Sequence, residues 1–240
     1  MKPILFSTPM VLALLNTKPG TWPAEPIDPS KPCKSQTRRV MKPQPMLGEF
    51  RYDGIFEGEH YLERLGDSGN PTEHYYNIGE ARYKKGDILW VRETWLQPHI
   101  DAKQILLGRL PIQYKADFTE EELAKIAKAY NWKPSTFMPR EAARIFLEVK
   151  DVRAERVQDI SEADTIAEGI KSCFLHKEHG GEWKLSNSAP FEGVGIESSH
   201  FTRKSAFHEI WDSINAKSGP SWNSNPWVWV YEFGRVEDAC

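Results

Sequence analysis

A chain of 240 residues with 40% hydrophobic and 27% charged side chains is long enough to bury one sizeable core and too apolar to be disordered. Thirty-one Lys and Arg stand against 34 Asp and Glu, a formal net charge of −3. That excludes a protein that coats a nucleic-acid duplex by charge alone and leaves room for a local basic cleft. Cys33, Cys173 and Cys240 are far apart, with no CxxC pair and no Cys/His cluster, so neither a structural zinc site nor another cofactor is expected. Reduced thiols of a cytoplasmic protein fit this spacing. The apolar start is broken by Pro3 and Pro9, too short for a signal segment, and no run reaches membrane-spanning length.

Pro3 to Ser7 reads as a short strand. Thr8 then caps a helix with Pro9 at its first position, carrying Val11, Leu12, Leu14 and Leu15. Five prolines within 19–32 forbid helix or central strand and predict a surface loop. The basic run Lys34 to Val40 follows it as a turn, and 43–85 looks irregular, with room for a strand or two. Lys85-Gly86-Asp87 is a turn signal leading into Ile88 to Leu96, the best strand of the first half. Ile112 to Ala116 reads as strand, and Thr119 to Tyr130 as a capped helix.

Ile145, Leu147, Val149, Val152 and Val157 alternate with charged residues, the mark of a long strand or a hairpin half-buried in a sheet over 143–157. Ser161 opens a helix that ends near Gly169, and 171–200 reads as loop. Thr202 to Ala216 places Phe207, Ile210, Trp211 and Ile214 on one stripe of a helix. Pro226 to Phe233 closes as an aromatic strand. Strands and helices mix without a βαβ beat, so the expected class is α+β or a barrel with decorating helices, not a doubly wound sheet.

The densest polar signal is Lys34, Thr37, Arg38 and Arg39. A lysine near arginines loses its proton more readily, because like charges disfavour its charged form. A neutral lysine three residues from a threonine is placed to activate that hydroxyl as a nucleophile, while the arginines hold a phosphate or a carbonyl oxygen. The competing reading is a solvated basic turn. Glu168 sits at a helix C-terminus, where the helix dipole prefers cations, a misfit that points to another task such as orienting Lys34. Arg92-Glu93 within an alternating strand must turn one charge inward, either as a site or as an ion pair with a loop. The rigid loop around Ser135 and Arg140 and the segment with Trp222 and Asn225 are candidate pocket rims: tryptophan stacks on bases and asparagine reads their edges. Turn capping and core packing are the alternatives there. No P-loop, GxGxxG, HExxH or GxSxG occurs. His176 and His179 lack a third ligand for a metal.

Taken together, Lys2-Pro-Ile-Leu-Phe-Ser-Thr-Pro-Met10, Lys34-Ser-Gln-Thr-Arg-Arg39, Gly86-Asp-Ile-Leu-Trp-Val-Arg-Glu-Thr-Trp95, Met138-Pro-Arg140, Glu168-Gly169 and Asn225-Pro-Trp-Val-Trp-Val-Tyr-Glu-Phe233 resemble the phage and prophage branch of the ASCH proteins, in the same order over nearly the whole chain. The resemblance implies one domain over 1–240, a PUA-like mixed β-barrel with a cleft beside its first helix and long insertions near 19–32, 43–85 and 171–200. It also implies nucleoside or single-stranded RNA as partner and the bacterial host cytoplasm as location. A small bacterial branch of that family hydrolyses N4-acetylcytidine with a lysine and threonine in a Lys-x-x-Thr stretch plus a glutamate. Lys34 and Thr37 match that stretch, and Glu168 corresponds by order along the chain.

The expectation is thus an amidohydrolase with Thr37 as nucleophile, Lys34 as base and Glu168 as orienting or proton-carrying group. Arg38, Arg39, Arg92, Glu93, Ser135, Arg140, Trp222 and Asn225 are its candidate substrate contacts. A non-catalytic nucleic-acid binding module and a ribonuclease are the alternatives.

Overall fold

The computed structural model describes residues 1–45, 49–96, 112–126, 131–170, 174–178, 184–186, 196–200 and 203–237. In chain order its main elements are β1 (Lys2–Leu5), α1 (Thr8–Leu15), β2 (Gln36–Val40), β3 (Phe50–Phe56), β4 (Glu59–Leu65), β5 (Pro71–Gly79), β6 (Ile88–Arg92), β7 (Trp95–Leu96) and β8 (Gln113–Tyr114). They continue as α2 (Glu120–Ile126), β9 (Phe146–Arg156), α3 (Glu162–Ala167), β10 (Phe174–Glu178), β11 (Lys184–Ser186), β12 (Ile196–His200), α4 (Arg203–Asn215) and β13 (Trp227–Val236). The class is α+β.

The centre is a five-stranded sheet in the order β1-β6-β9-β13-β2. Strands β1 and β6 run parallel, and every other neighbour is antiparallel. The spine is the long β9–β13 pairing, Trp227 opposite Arg156 through Val236 opposite Phe146, with one bulge at Glu232/Phe233. Strand β13 is buried on both faces, which explains its unbroken apolar run. Trp227, Trp229, Tyr231 and Phe233 join Leu147, Val149 and Val152 in the larger core. Val228 and Val230 face the other way, onto Phe207 and Trp211 of α4 and onto Val157, Ile160 and Ile170.

Strand pairing does not close this sheet into the expected barrel. Among the described residues no ladder joins the outer strands β1 and β2. One hydrogen bond spans the gap: the Arg39 Nη2 donates to the Leu5 carbonyl at 2.7 Å.

Several expectations are corrected. The basic segment after the proline loop is an edge strand, not a turn, because Gln36 to Val40 pairs residue by residue with β13. The stretch 43–85 contains a three-stranded antiparallel sheet, β3-β4-β5. Its alternation is hidden by register shifts at Tyr52/Gly54, His60/Tyr61 and Glu63/Leu65, each of which flips the sequence pattern to the other face. The 171–200 region carries a further small sheet in the order β11-β10-β12 rather than loop alone. The strand expected over Ile88–Leu96 stops at Arg92 and resumes as β7, which pairs with β8. Ser7, not Thr8, occupies the cap position of α1. The end of the helix expected over Thr119–Tyr130, together with Cys173 and Cys240, lies outside the described residues.

Helix α3 is fixed at both ends. The Ser161 Oγ accepts from the Asp164 amide, and the Asp164 carboxylate accepts from the Ser161 amide, a complete capping box. At the other end Glu168 is the C-cap, and Gly169 follows at φ +92°, a left-handed turn that favours glycine. The turn docks the helix against the chain entering β2, where the Ser35 amide donates to the Ala167 carbonyl at 2.9 Å. A Cβ on Gly169 would stand 3.2 Å from Ala13 Cβ and 3.5 Å from Lys34 Cβ. Gly169→Ala is therefore expected to cost about 1–3 kcal/mol, read as a lowered melting temperature. An unchanged melting curve would show that this turn does not constrain the helix.

Candidate functional site

Lys34 precedes the edge strand, and its side chain has 0% exposure. The Nζ donates to the Glu168 Oε2 and to the Glu168 carbonyl oxygen, both at 2.7 Å. Its main chain is clamped to the end of α1: Thr17 Oγ1 accepts from the Lys34 amide at 3.1 Å and donates to the Ala13 carbonyl at 3.1 Å. Burial pushes the Lys34 ammonium below its ordinary pKa. The Glu168 carboxylate opposes that push, and Arg39 and Arg38 add to it.

The second carboxylate oxygen of Glu168 accepts from Arg38 Nη1 at 3.1 Å. Arg38 also reaches the Gln36 Oε1 at 2.6 Å, the Glu155 carboxylate through its Nε at 2.8 Å, and Asp164 at 3.3 Å. Arg153 continues the network, bonding Asp164 at 3.1 Å, Glu155 at 3.3 Å and Glu232. The Arg38 guanidinium is thus shared by three carboxylates and is 1% exposed. It is a hub that orients Glu168, with its charge already answered.

Three cavities adjoin β2. Thr37, which is 2% exposed, lines one of about 250 Å³ together with Glu168, Arg38 and Arg39, closed opposite by Phe207 and Trp211 of α4. A second, of about 510 Å³, lies between β1 and β2 and is lined by Arg39, Arg82, Tyr83, Arg92, Trp229 and Tyr231 among others. A third, of about 490 Å³, is walled by Phe50, Leu62, Tyr76 and Trp229. Lys42 lines all three, Arg39 the first two, and Trp229 the last two, so the cavities share walls and together make up the groove beside β2. Burial pushes Tyr231 up to about 12, outweighing the opposing backbone hydrogen bonds and the Arg39 charge, so the groove wall keeps a neutral phenol at ordinary pH.

The structure joins Lys34 directly to Glu168. Thr37 and Glu168 face the same cavity, and Lys34 stands behind Glu168 rather than on the wall. Arg39 and Arg92 line the second cavity. Glu93 does not: it is 2% exposed and bidentate to Arg144, with Oε1 to Nε at 2.8 Å and Oε2 to Nη2 at 2.9 Å. Burial raises its pKa against the pull of Arg144. This is the strand-to-loop ion pair that was the alternative reading of Arg92-Glu93.

Ser135 and Arg140 stand in short 3₁₀ turns outside the three cavities, where Met138 between them docks on Trp95 and Ala142. Trp222 is also outside, packed on Phe207 and stacked on His208 with ring centroids 5.0 Å apart. Asn225, at φ 42°, accepts from the Gln158 amide through its Oδ1 at 3.1 Å, a turn cap. Packing and turn bonds, rather than a groove, engage these four.

Sequence reasoning missed Gln36, Lys42, Arg82 and Tyr83. The run Arg82-Tyr83-Lys84-Lys85 ahead of a turn carried a cationic-aromatic signal that the irregular reading of 43–85 absorbed. Among the described residues no group of three or more His, Cys, Asp and Glu gathers as for a metal, and no helix is long and apolar enough to cross a membrane. His179 lies outside the described residues, and His176 is placed only as part of β10. Comparison with family models, curated proteins and solved structures returns no match to this chain.

Asp164 gives the network a pH signature. Burial alone would raise its pKa, but hydrogen bonds from Gln36 and Ser161 and the Arg38 charge outweigh that and hold it at about 2, against an ordinary 3.8. A carboxylate depressed in the folded state contributes stability above its unfolded pKa and loses it as pH falls through the folded value. Urea unfolding is expected to show stability lost between about pH 4 and pH 2. Asp164→Asn should lower stability at neutral pH by about 1–2 kcal/mol and flatten that acid limb. A variant with the wild-type acid limb would remove Asp164 as its source.

Proposed function

We propose that the chain is an ASCH-type amidohydrolase, with a PUA-like core, that removes an acyl group from a modified nucleobase such as that of N4-acetylcytidine. The supporting observation is the buried Lys34–Glu168 contact at 2.7 Å, with Glu168 and Thr37 facing one cavity. The likeness of Lys34-Ser-Gln-Thr37 to the family's Lys-x-x-Thr stretch supports the same reading.

In this mechanism the Thr37 Oγ attacks the acyl carbonyl, and a C–O bond forms. The hydroxyl proton passes to Lys34, which burial inclines toward its neutral form. Glu168 orients Lys34 through one oxygen and carries the proton to the departing amine as the C–N bond breaks. Water then cleaves the acyl-threonine ester, which releases the carboxylic acid and restores the hydroxyl. Arg39 lines the same cavity and stabilises the oxyanion. Arg38 keeps the second Glu168 oxygen in place.

One observation favours a second reading, a binding module without turnover. Lys34 reaches the cavity only behind Glu168, and Arg38 is fully engaged by carboxylates. Release of cytidine and acetate from N4-acetylcytidine separates the two readings. Wild type is expected to turn over, and Thr37→Val and Glu168→Gln to lose at least about a hundredfold in kcat, with Thr37→Val retaining the wild-type melting temperature. Equal turnover by wild type and Thr37→Val would overturn the nucleophile assignment. No product from either, with cytidine still bound, would leave the binding module.

A further inference from the structure

The cavity of about 510 Å³ between β1 and β2 is lined by Arg39, Lys42, Arg82 and Arg92 against the single carboxylate of Glu80. Glu80 is already paired with Lys84 at 2.8 Å. Among the described residues none of the four cations has a carboxylate within ion-pair distance. That contrasts with the other face of the same strand, where Arg38 and Arg153 share four carboxylates between them.

Two of the unpaired guanidiniums, Arg39 and Arg92, are held by main-chain carbonyls and aromatic rings. Arg39 donates to the Leu5 carbonyl and lies 5.3 Å over the Phe6 ring. Arg92 lies 4.7 Å over Trp90 and donates to the Thr136 carbonyl at 3.2 Å. The Arg92 Nε is buried with no hydrogen-bond partner. An unanswered buried donor on a fixed cation costs free energy unless an acceptor arrives. Burial also lowers the Arg39 pKa, against the opposing charge of Glu168. Arg82 stands 5.4 Å over Tyr83, whose hydroxyl donates to the Pro3 carbonyl at 2.6 Å and fixes that side of the cleft.

We infer that this cavity is a phosphate site, so that the ligand of the groove is a phosphorylated nucleotide unit, free or within a single strand, rather than a free nucleoside. Planar guanidinium forks match phosphate oxygens two by two. Trp229, Tyr231 and Tyr83 give the same cavity aromatic surface for a sugar or base. Its volume falls in the range of small-ligand pockets. Arg39, Val40 and Lys42 line both this cavity and the Thr37–Glu168 cavity. The inference names the substrate class for the groove of the preceding reading, and it is tested with ligands that carry no acyl group.

Calorimetric titration of the full chain with cytidine, cytidine 5′-monophosphate and a six-residue cytidine RNA tests it. The monophosphate is expected to bind at least about tenfold more tightly than cytidine, and added salt to weaken the monophosphate but not cytidine. Arg82→Gln and Lys42→Gln, both exposed positions, should each remove much of that difference while melting like wild type. A hexamer that binds more tightly than the monophosphate identifies a strand as the ligand, and equal affinities identify the mononucleotide. Cytidine and its monophosphate bound alike, no binding of the monophosphate at millimolar concentration, or unaltered monophosphate affinity in both variants would each overturn the inference. Because no turnover is read, phosphate-dependent binding without hydrolysis of N4-acetylcytidine would sink the catalytic reading alone.

Discussion

An ammonium group with no exposure to water survives in a core only where acceptors are delivered to it, and that requirement organises this protein around Lys34. Two oxygens of one residue meet the need, the side-chain and main-chain oxygens of Glu168. Bringing both to one Nζ demands that α3 end where it does. The Ser161–Asp164 capping box starts the helix, and Gly169 turns the chain away at once. The segment before β2 must also dock, as it does through the Ser35–Ala167 bond and the Thr17 clamp. Removing one member of such a buried pair strands the other, a loss of about 3–5 kcal/mol, so each of these local devices is answerable to the same contact.

The second constraint is the open edge. Strands β1 and β2 end the sheet on either side, and exposed edges invite pairing with other chains. Here the two edges face one another across a cleft, bridged by Arg39 and the Leu5 carbonyl and covered in part by the β3-β4-β5 sheet that walls the third cavity. The gap leaves main chain and arginine facing a cavity of about 510 Å³.

Much of this was legible in the sequence where one period dominated. The alternation of Leu147, Val149 and Val152 located β9, and the stripe of Phe207, Ile210 and Trp211 located α4, because each segment buries one face against one partner. The apolar run Trp227 to Tyr231 was readable as core for the opposite reason, burial on both faces. The β3-β4-β5 sheet was not, since three register shifts break its alternation. Within the site, the contact of Glu168 with Lys34 was anticipated from the misfit of a carboxylate at a helix C-terminus. The role of Arg38 was not, because Glu155 and Asp164, distant in sequence, claim it; for Glu93 the sequence left a site and an ion pair open, and distant Arg144 decides for the ion pair. Ion-pair choice is a tertiary property, and nothing in a strand's own pattern reveals which charge will find a partner.

Strand β2 carries the consequence of that choice. Along it Gln36 and Arg38 enter the carboxylate network, Thr37 and Arg38 line the small cavity beside Glu168, and Arg39 lines both that cavity and the one between β1 and β2. The acidic residues Glu155, Asp164, Glu168 and Glu232 are collected in the network and neutralised there by Arg38, Arg153 and Lys34. That leaves Arg39, Lys42, Arg82 and Arg92 unopposed around the cavity between β1 and β2. A chain with net charge −3 thereby gathers four cations around one cleft. Segregation of charge across a single strand, rather than the total charge, sets what kind of ligand this edge attracts.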